Sequence, residues 1–130
     1  MSMKKFTPIA VMLVLLCVGG IALAAAVKVD LLPFPGSVAP EPDASGRAVL
    51  NYAKGADRTE VQVNCWDLTS ETEYTVYLCA PGPEWYEIGS FTTRKNGSGN
   101  LHVRLPGDHS ADIPVAVNNT ALNATVLMSP

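Results

Sequence analysis

Between Thr59 and Cys79 the chain reads TEVQVNCWDLTSETEYTVYLC, two stretches in which apolar and polar residues alternate one for one. Val61, Val63 and Cys65 alternate with Glu60, Gln62 and Asn64, and Tyr74, Val76 and Leu78 alternate with Glu73, Thr75 and Tyr77. Successive side chains leave opposite faces of a pleat, so each stretch is a strand with one wet face and one buried face. Thr69 to Thr72 are short and polar, cap local backbone groups and continue no apolar period, so the two arms are expected to pair as an antiparallel hairpin. A lone hairpin is marginal in water, and its apolar row requires a covering sheet from the rest of the chain.

The remaining sequence supplies further strands. Ala48, Leu50 and Tyr52 form an inward row that starts at Gly46 and ends in the turn Lys54-Gly55-Ala56-Asp57. After the loop Ala80-Pro81-Gly82-Pro83, residues Trp85 to Thr93 resume strand character with Tyr86, Ile88 and Phe91. The step from two-residue to three-residue spacing places a bulge at Gly89. Lys95-Asn96-Gly97-Ser98-Gly99 is the strongest turn signal, because Asn and Gly tolerate positive φ. Leu101, Val103 and Leu105 form the next row; Ile113, Val115 and Val117 a sixth, with Pro114 facing out as on an edge; Val126 and Met128 a seventh. Seven short strands without a helical period predict an all-β fold, a seven-stranded antiparallel Greek-key (immunoglobulin-like) β-sandwich over residues 46–130.

The 130 residues leave room for one such domain. Ahead of it, Lys4 and Lys5 precede an apolar run from Pro8 to Val27 that ends in small residues, which predicts a cleaved signal peptide over residues 1–26. The same run, about 20 residues long, can also span a hydrocarbon core, so a membrane anchor over residues 8–27 is the alternative. Leu16 precedes Cys17 where a lipid-attachment site requires a smaller residue. Residues 27–45, with Pro33, Pro35, Pro40 and Pro42, read as an extended linker, or over Val27 to Leu32 as an edge strand docked on the domain. Removing residues 1–26 leaves seven basic against twelve acidic residues, a formal charge of −5. That balance argues against nucleic acid or anionic lipid as a partner, with membrane contact only through the N-terminal segment.

The succession Gly46-Arg47-Ala48-Val49-Leu50-Asn51-Tyr52, Val61-Gln62-Val63-Asn64, Tyr74-Thr75-Val76-Tyr77-Leu78 and Ile88-Gly89-Ser90-Phe91-Thr92-Thr93, with Gly97 and Gly99, resembles small exported β-sandwich proteins of archaea and bacteria. These are loosely similar to chordin-type (CHRD) and fibronectin type III modules. The resemblance covers residues 46–105 and implies a fold, not a chemistry. Chordin-type modules carry a histidine after the central hairpin; Tyr74 to Ala80 has none, and no metal role is carried over.

Cys65 and Cys79 flank the central turn and are expected to form an intramolecular disulfide in an oxidising compartment, with an intermolecular bridge or free thiols as the alternatives. Strict alternation puts them on opposite faces, so the bridge needs a bulge near Trp66-Asp67. Trp66, Tyr77, Trp85 and Tyr86 are candidate binding residues, since outward aromatics can stack on a sugar ring or a partner protein. Trp66 and Tyr77 are expected side by side on neighbouring strands. Asn96, Asn118 and Asn123 each head a glycosylation sequon. His102, His109 and Asp108, with Asp112 nearby, are weak candidate metal ligands.

No nucleophile-base pattern and no phosphate loop is present, and no cofactor is expected. The sequence therefore predicts a non-enzymatic secreted or cell-envelope module, structural or binding a cell-surface glycan or protein. The alternative is a metal-handling extracellular or periplasmic protein using His102 and His109.

Overall fold

A computed structural model describes residues 26–130; Cys17 and the expected export signal or anchor, apart from its last residues, lie outside the described residues. Eight strands follow in chain order: β1 (Ala26–Pro33), β2 (Ser45–Ala53), β3 (Arg58–Trp66), β4 (Glu73–Ala80), β5 (Glu84–Thr92), β6 (Gly99–Pro106), β7 (Val115–Asn119) and β8 (Ala124–Met128). Among the described residues the one helical element is a 3-10 turn at Lys54–Ala56. The fold is all-β, as the alternation requires.

The strands form one antiparallel sheet in the order β5-β4-β7-β8-β1-β2-β3-β6. Its two end strands, β5 and β6, approach each other without a ladder, so the sheet rolls into a nearly closed barrel. Near-closure leaves little free edge for another chain to pair with. The interior is filled by the alternating apolar rows: Leu31, Leu50, Val61, Val63, Tyr74, Val76, Leu78, Val115, Val117, Val126 and Leu127 are all fully buried. Tyr74 stacks on Phe91 with ring centroids 5.8 Å apart.

The pairing differs from expectation in four places. First, β3 and β4 do not form a hairpin: β3 pairs with β2 and β6, and β4 with β5 and β7. Their apolar rows face the same core from different parts of the barrel wall. An alternating pattern specifies a buried face but not the neighbour that shares it. The residues between them make a crossing instead of a tight turn, with positive φ at Asp67 and Glu71 and with Leu68 turned into the core.

Second, the Asn96-Gly97 turn is present, with Gly97 at φ 82°, but it joins β5 to β6 across the gap and not within a ladder. The two crossings lie side by side. Leu68 N–H donates to Gly97 O at 3.0 Å, and Thr93 Oγ1 donates to Thr69 O at 2.6 Å. Together they cap one end of the barrel.

Third, the segment read either as a linker or as an edge strand holds β1, an interior strand paired with β2 on one side and with β8 on the other. Leu31 is fully buried. Farther along, Glu41 accepts hydrogen bonds from Tyr74 Oη at 2.6 Å and from Thr69 N–H at 2.8 Å, so the proline-rich stretch is tied to the capped end. Burial first, and then Glu41, pushes the Tyr74 phenol up to about 12.

Fourth, β7 is an interior strand, between β4 and β8. Pro114 stands just before its first residue, where a missing N–H interrupts no ladder. Ile113, expected inward, is 40% exposed.

Candidate functional site

The expected bulge at Gly89 decides which aromatic faces out. Val76 of β4 stands opposite Gly89, but Tyr77 stands opposite Glu87, so Ile88 is the extra residue on β5. One inserted residue reverses the facing of everything beyond it. Leu78 is thereby opposite Tyr86, which turns inward, and Cys79 is opposite Trp85, which turns outward. Without the bulge the two aromatics would exchange roles. Gly89 also lets β5 come close to β6: a Cβ there would lie 3.1 Å from a methyl of Leu101.

Trp85 then lies diagonal to Tyr77 on the outer face, where cross-strand residues two positions apart remain within reach of aromatic side chains. These two rings flank an open groove of about 350 Å³ across β4, β7 and β8, bordered also by Asn118, Asn123, Thr125 and Met128. Its floor is Ala116, whose small side chain leaves the space between the rings and β8 open. Asn118 Oδ1 is buried with no hydrogen-bond partner among the described residues. A buried amide oxygen without a donor costs free energy, and a ligand hydroxyl placed in the groove would supply that donor. No charged side chain lines the groove.

The aromatic candidates separate. Tyr77 and Trp85 share the groove; Trp66, 46% exposed, faces outward at the end of β3 beside Asp30 and Arg47. Trp66 and Tyr77 are not on neighbouring strands, because β3 and β4 do not pair. Tyr86 leaves the binding set. It packs against the core, and its hydroxyl donates to Asp112 Oδ2 at 2.6 Å.

That hydroxyl belongs to a polar clasp. His109 Nδ1 lies 2.9 Å from Asp112 Oδ2 and 3.0 Å from Tyr86 Oη, while its Nε2 is 2.7 Å from Pro106 O. A carbonyl only accepts, so Nε2 carries a proton; a second proton on Nδ1 lets the ring donate to Asp112 as well. Burial opposes this charge, but the Asp112 carboxylate and then the Pro106 carbonyl outweigh it and hold the His109 pKa above its usual value. Burial, followed by Asp112, raises that of the Tyr86 phenol. The His109 backbone N–H donates to Thr59 Oγ1 at 2.8 Å, and Thr59 Oγ1 donates to Gly107 O at 2.9 Å. The clasp fastens the 107–114 connection to β3 and β5.

This arrangement leaves His109 no free nitrogen lone pair for a metal. His102 lies elsewhere, on the outer face of β6, 3.2 Å from Glu60 Oε1. Asp108 accepts from the Ser110 backbone N–H and hydroxyl, which holds its carboxyl below the ordinary range. The proposed ligands are thus not brought together, and among the described residues no group of three or more His, Cys, Asp or Glu could hold a metal ion.

Cys65 and Cys79 are both free and buried, which corrects the expected disulfide. Cys65 belongs to the core cluster, whereas Cys79 lies outside it, opposite outward-facing Trp85. The positive φ that turns the chain falls at Asp67, after Cys65, so strict alternation holds through β3 and the thiols stay on opposite faces. Burial pushes the Cys65 thiol up to about 12.

The three sequons differ in setting. Asn96 Oδ1 accepts from Ser98 N–H and Ser98 Oγ within a tight turn. Asn118 is on β7 in the groove, and Asn123 is exposed at positive φ in the β7–β8 turn. The roles of Asn118, Thr125 and Met128 beside the rings come from strand register alone, which no local pattern discloses. Searches of family models, of curated proteins and of solved structures found no match to this chain.

Proposed function

We propose that this domain is a non-catalytic carbohydrate-binding module of the cell surface or cell exterior, taking a neutral sugar in the Tyr77–Trp85 groove. The observation that carries this reading is the buried, unpartnered Asn118 Oδ1 on the border of a groove that two outward aromatic rings also line. A sugar presents apolar C–H faces to stack on such rings and hydroxyls to donate to such an oxygen. The absence of charge in the groove favours a neutral ligand over an acidic one. Tyr86 and His109, which could otherwise serve as acid or base, are engaged in the clasp.

We read the strand path as an immunoglobulin-like Greek key with one strand added before its first. The adjacency of β3 to β6 and of β4 to β7, reached by crossings, supports that reading.

The test is titration of the purified protein with neutral oligosaccharides, followed by heat capacity or tryptophan fluorescence. Trp85→Ala should weaken binding at least tenfold, and as a substitution at a 45% exposed position it should change stability by no more than about 0.5 kcal/mol. Unchanged affinity in that variant would refute the assignment.

A further inference from the structure

Another part of the barrel wall carries a second depression of similar chemistry. After the pair Leu31–Gly46, β1 leaves β2, and its next residues, Leu32 and Pro33, pair with β8, while Ser45 of β2 pairs with Trp66 of β3. The sheet forks at this point. The fork opens a notch of about 360 Å³, close to the 350 Å³ of the groove. Leu32 borders it from β1, and Ser45 and Trp66 border it from β2 and β3; all three are exposed.

Asp30 and Arg47 complete the lining, with Arg47 Nε 3.7 Å from Asp30 Oδ1. Both side chains are largely exposed, and an ion pair of that kind contributes little to stability. The carboxylate therefore keeps lone pairs, and the guanidinium N–H groups, for another partner. Beside an indole, such acceptors and donors suit the hydroxyls of a sugar ring whose C–H face lies on the aromatic. One acid and one base cancel, so the notch, like the uncharged groove, favours a neutral ligand.

The two depressions share no strand. The groove lies across β4, β7 and β8 with Trp85 from β5, and the notch lies across β1, β2 and β3. In the order β5-β4-β7-β8-β1-β2-β3-β6 their middle strands, β7 and β2, are three places apart in a wall of eight. In a nearly closed barrel that is about three-eighths of a turn, so the two outer faces look in different directions. No one sugar chain lies along both. The chain has two tryptophans, one in each depression, 45% and 46% exposed.

We propose that the Trp66 notch is a second site for a neutral sugar and that the domain is bivalent, holding two separate polysaccharide chains on different sides of the barrel and so cross-linking them. This rests on the carbohydrate reading of the groove and adds to it a second site and a bridging role. Bridging requires no high affinity at either site, because a long polysaccharide repeats its unit many times and each added contact strengthens the whole.

With one tryptophan per site, the two isotope-labelled indole N–H signals of the protein report the sites separately by NMR. Titration with neutral gluco-, manno- and galacto-disaccharides should move both signals. Trp85→Ala should leave the Kd read at Trp66 within about twofold, and Trp66→Ala should do the same for that read at Trp85, as for independent sites. The long polysaccharide built from the bound sugar should turn cloudy with the wild-type protein and stay clear with either variant. The wild-type signals decide occupancy even where a variant fails to fold. Movement of the Trp85 signal alone overturns the second site and leaves the groove standing. Movement of both signals without clouding overturns the bridging role. Ligand-free protein that sediments as a dimer, but as a monomer in Trp66→Ala, shows that the notch holds a second copy of the chain and overturns the proposal. No movement of the Trp85 signal at millimolar sugar overturns the groove and bivalency together.

Discussion

Gly97 sits where the two crossings meet, and two independent constraints select it. Its φ of 82° is a conformation that L side chains rarely adopt, and a Cβ there would run into the Leu68 carbonyl oxygen. Gly97→Ala should therefore destabilise the fold by about 1–3 kcal/mol, read from urea unfolding. Single residues also govern the thiols. Because Cys65 and Cys79 are buried on opposite faces, neither should react with a thiol reagent in the native protein, and both should react in urea. A reductant should leave the melting temperature unchanged. An equal response in native and unfolded protein would mean that the faces are assigned wrongly.

At the scale of elements, the bulge in β5 and the clasp on the 107–114 connection depend on each other. Ile88 as the extra residue turns Tyr86 inward, and only then can its hydroxyl reach Asp112 and His109. The clasp carries a pH dependence whose sign is fixed by His109. Its folded pKa is raised above the unfolded value of about 6.5. The stability it contributes is fully present below that value and is lost as pH rises through the folded pKa. Thermal stability should thus fall as pH increases from about 6 towards 8. His109→Gln should flatten that slope, and one-dimensional proton NMR titration should place the imidazole transition above that of an unfolded peptide. A slope of the opposite sign would show that burial, and not Asp112, dominates the site.

For the whole molecule, β1 is the strand that joins β2 to β8 and lets the sheet roll up. A linker would tolerate substitution; an interior strand does not. Leu31→Ala should cost about 2–5 kcal/mol, as for other fully buried leucines, measured by denaturant unfolding. Near-indifference would return residues 26–33 to the role of a tether.

The pattern of residues was sufficient for the all-β class, for most strand positions, for the bulge at Gly89 and for the outward facing of Tyr77, because each depends on alternation along one strand. Pairing was not legible. The rows of β3 and β4 are equally well buried whether they adjoin or face each other through a core, so the supposed hairpin, the disulfide and the pairing of Trp66 with Tyr77 all failed together. The short run Val27 to Leu32 alternates too briefly to distinguish an interior strand from a spacer. Local sequence determined which side of each strand meets water; only the tertiary fold decided which strands are neighbours. The reason is that a pleat has a period of its own, while register between distant strands is settled by how the whole sheet closes around its core. The groove that joins Tyr77, Trp85 and Asn118 is made of that register, and so belongs to the fold and not to any motif.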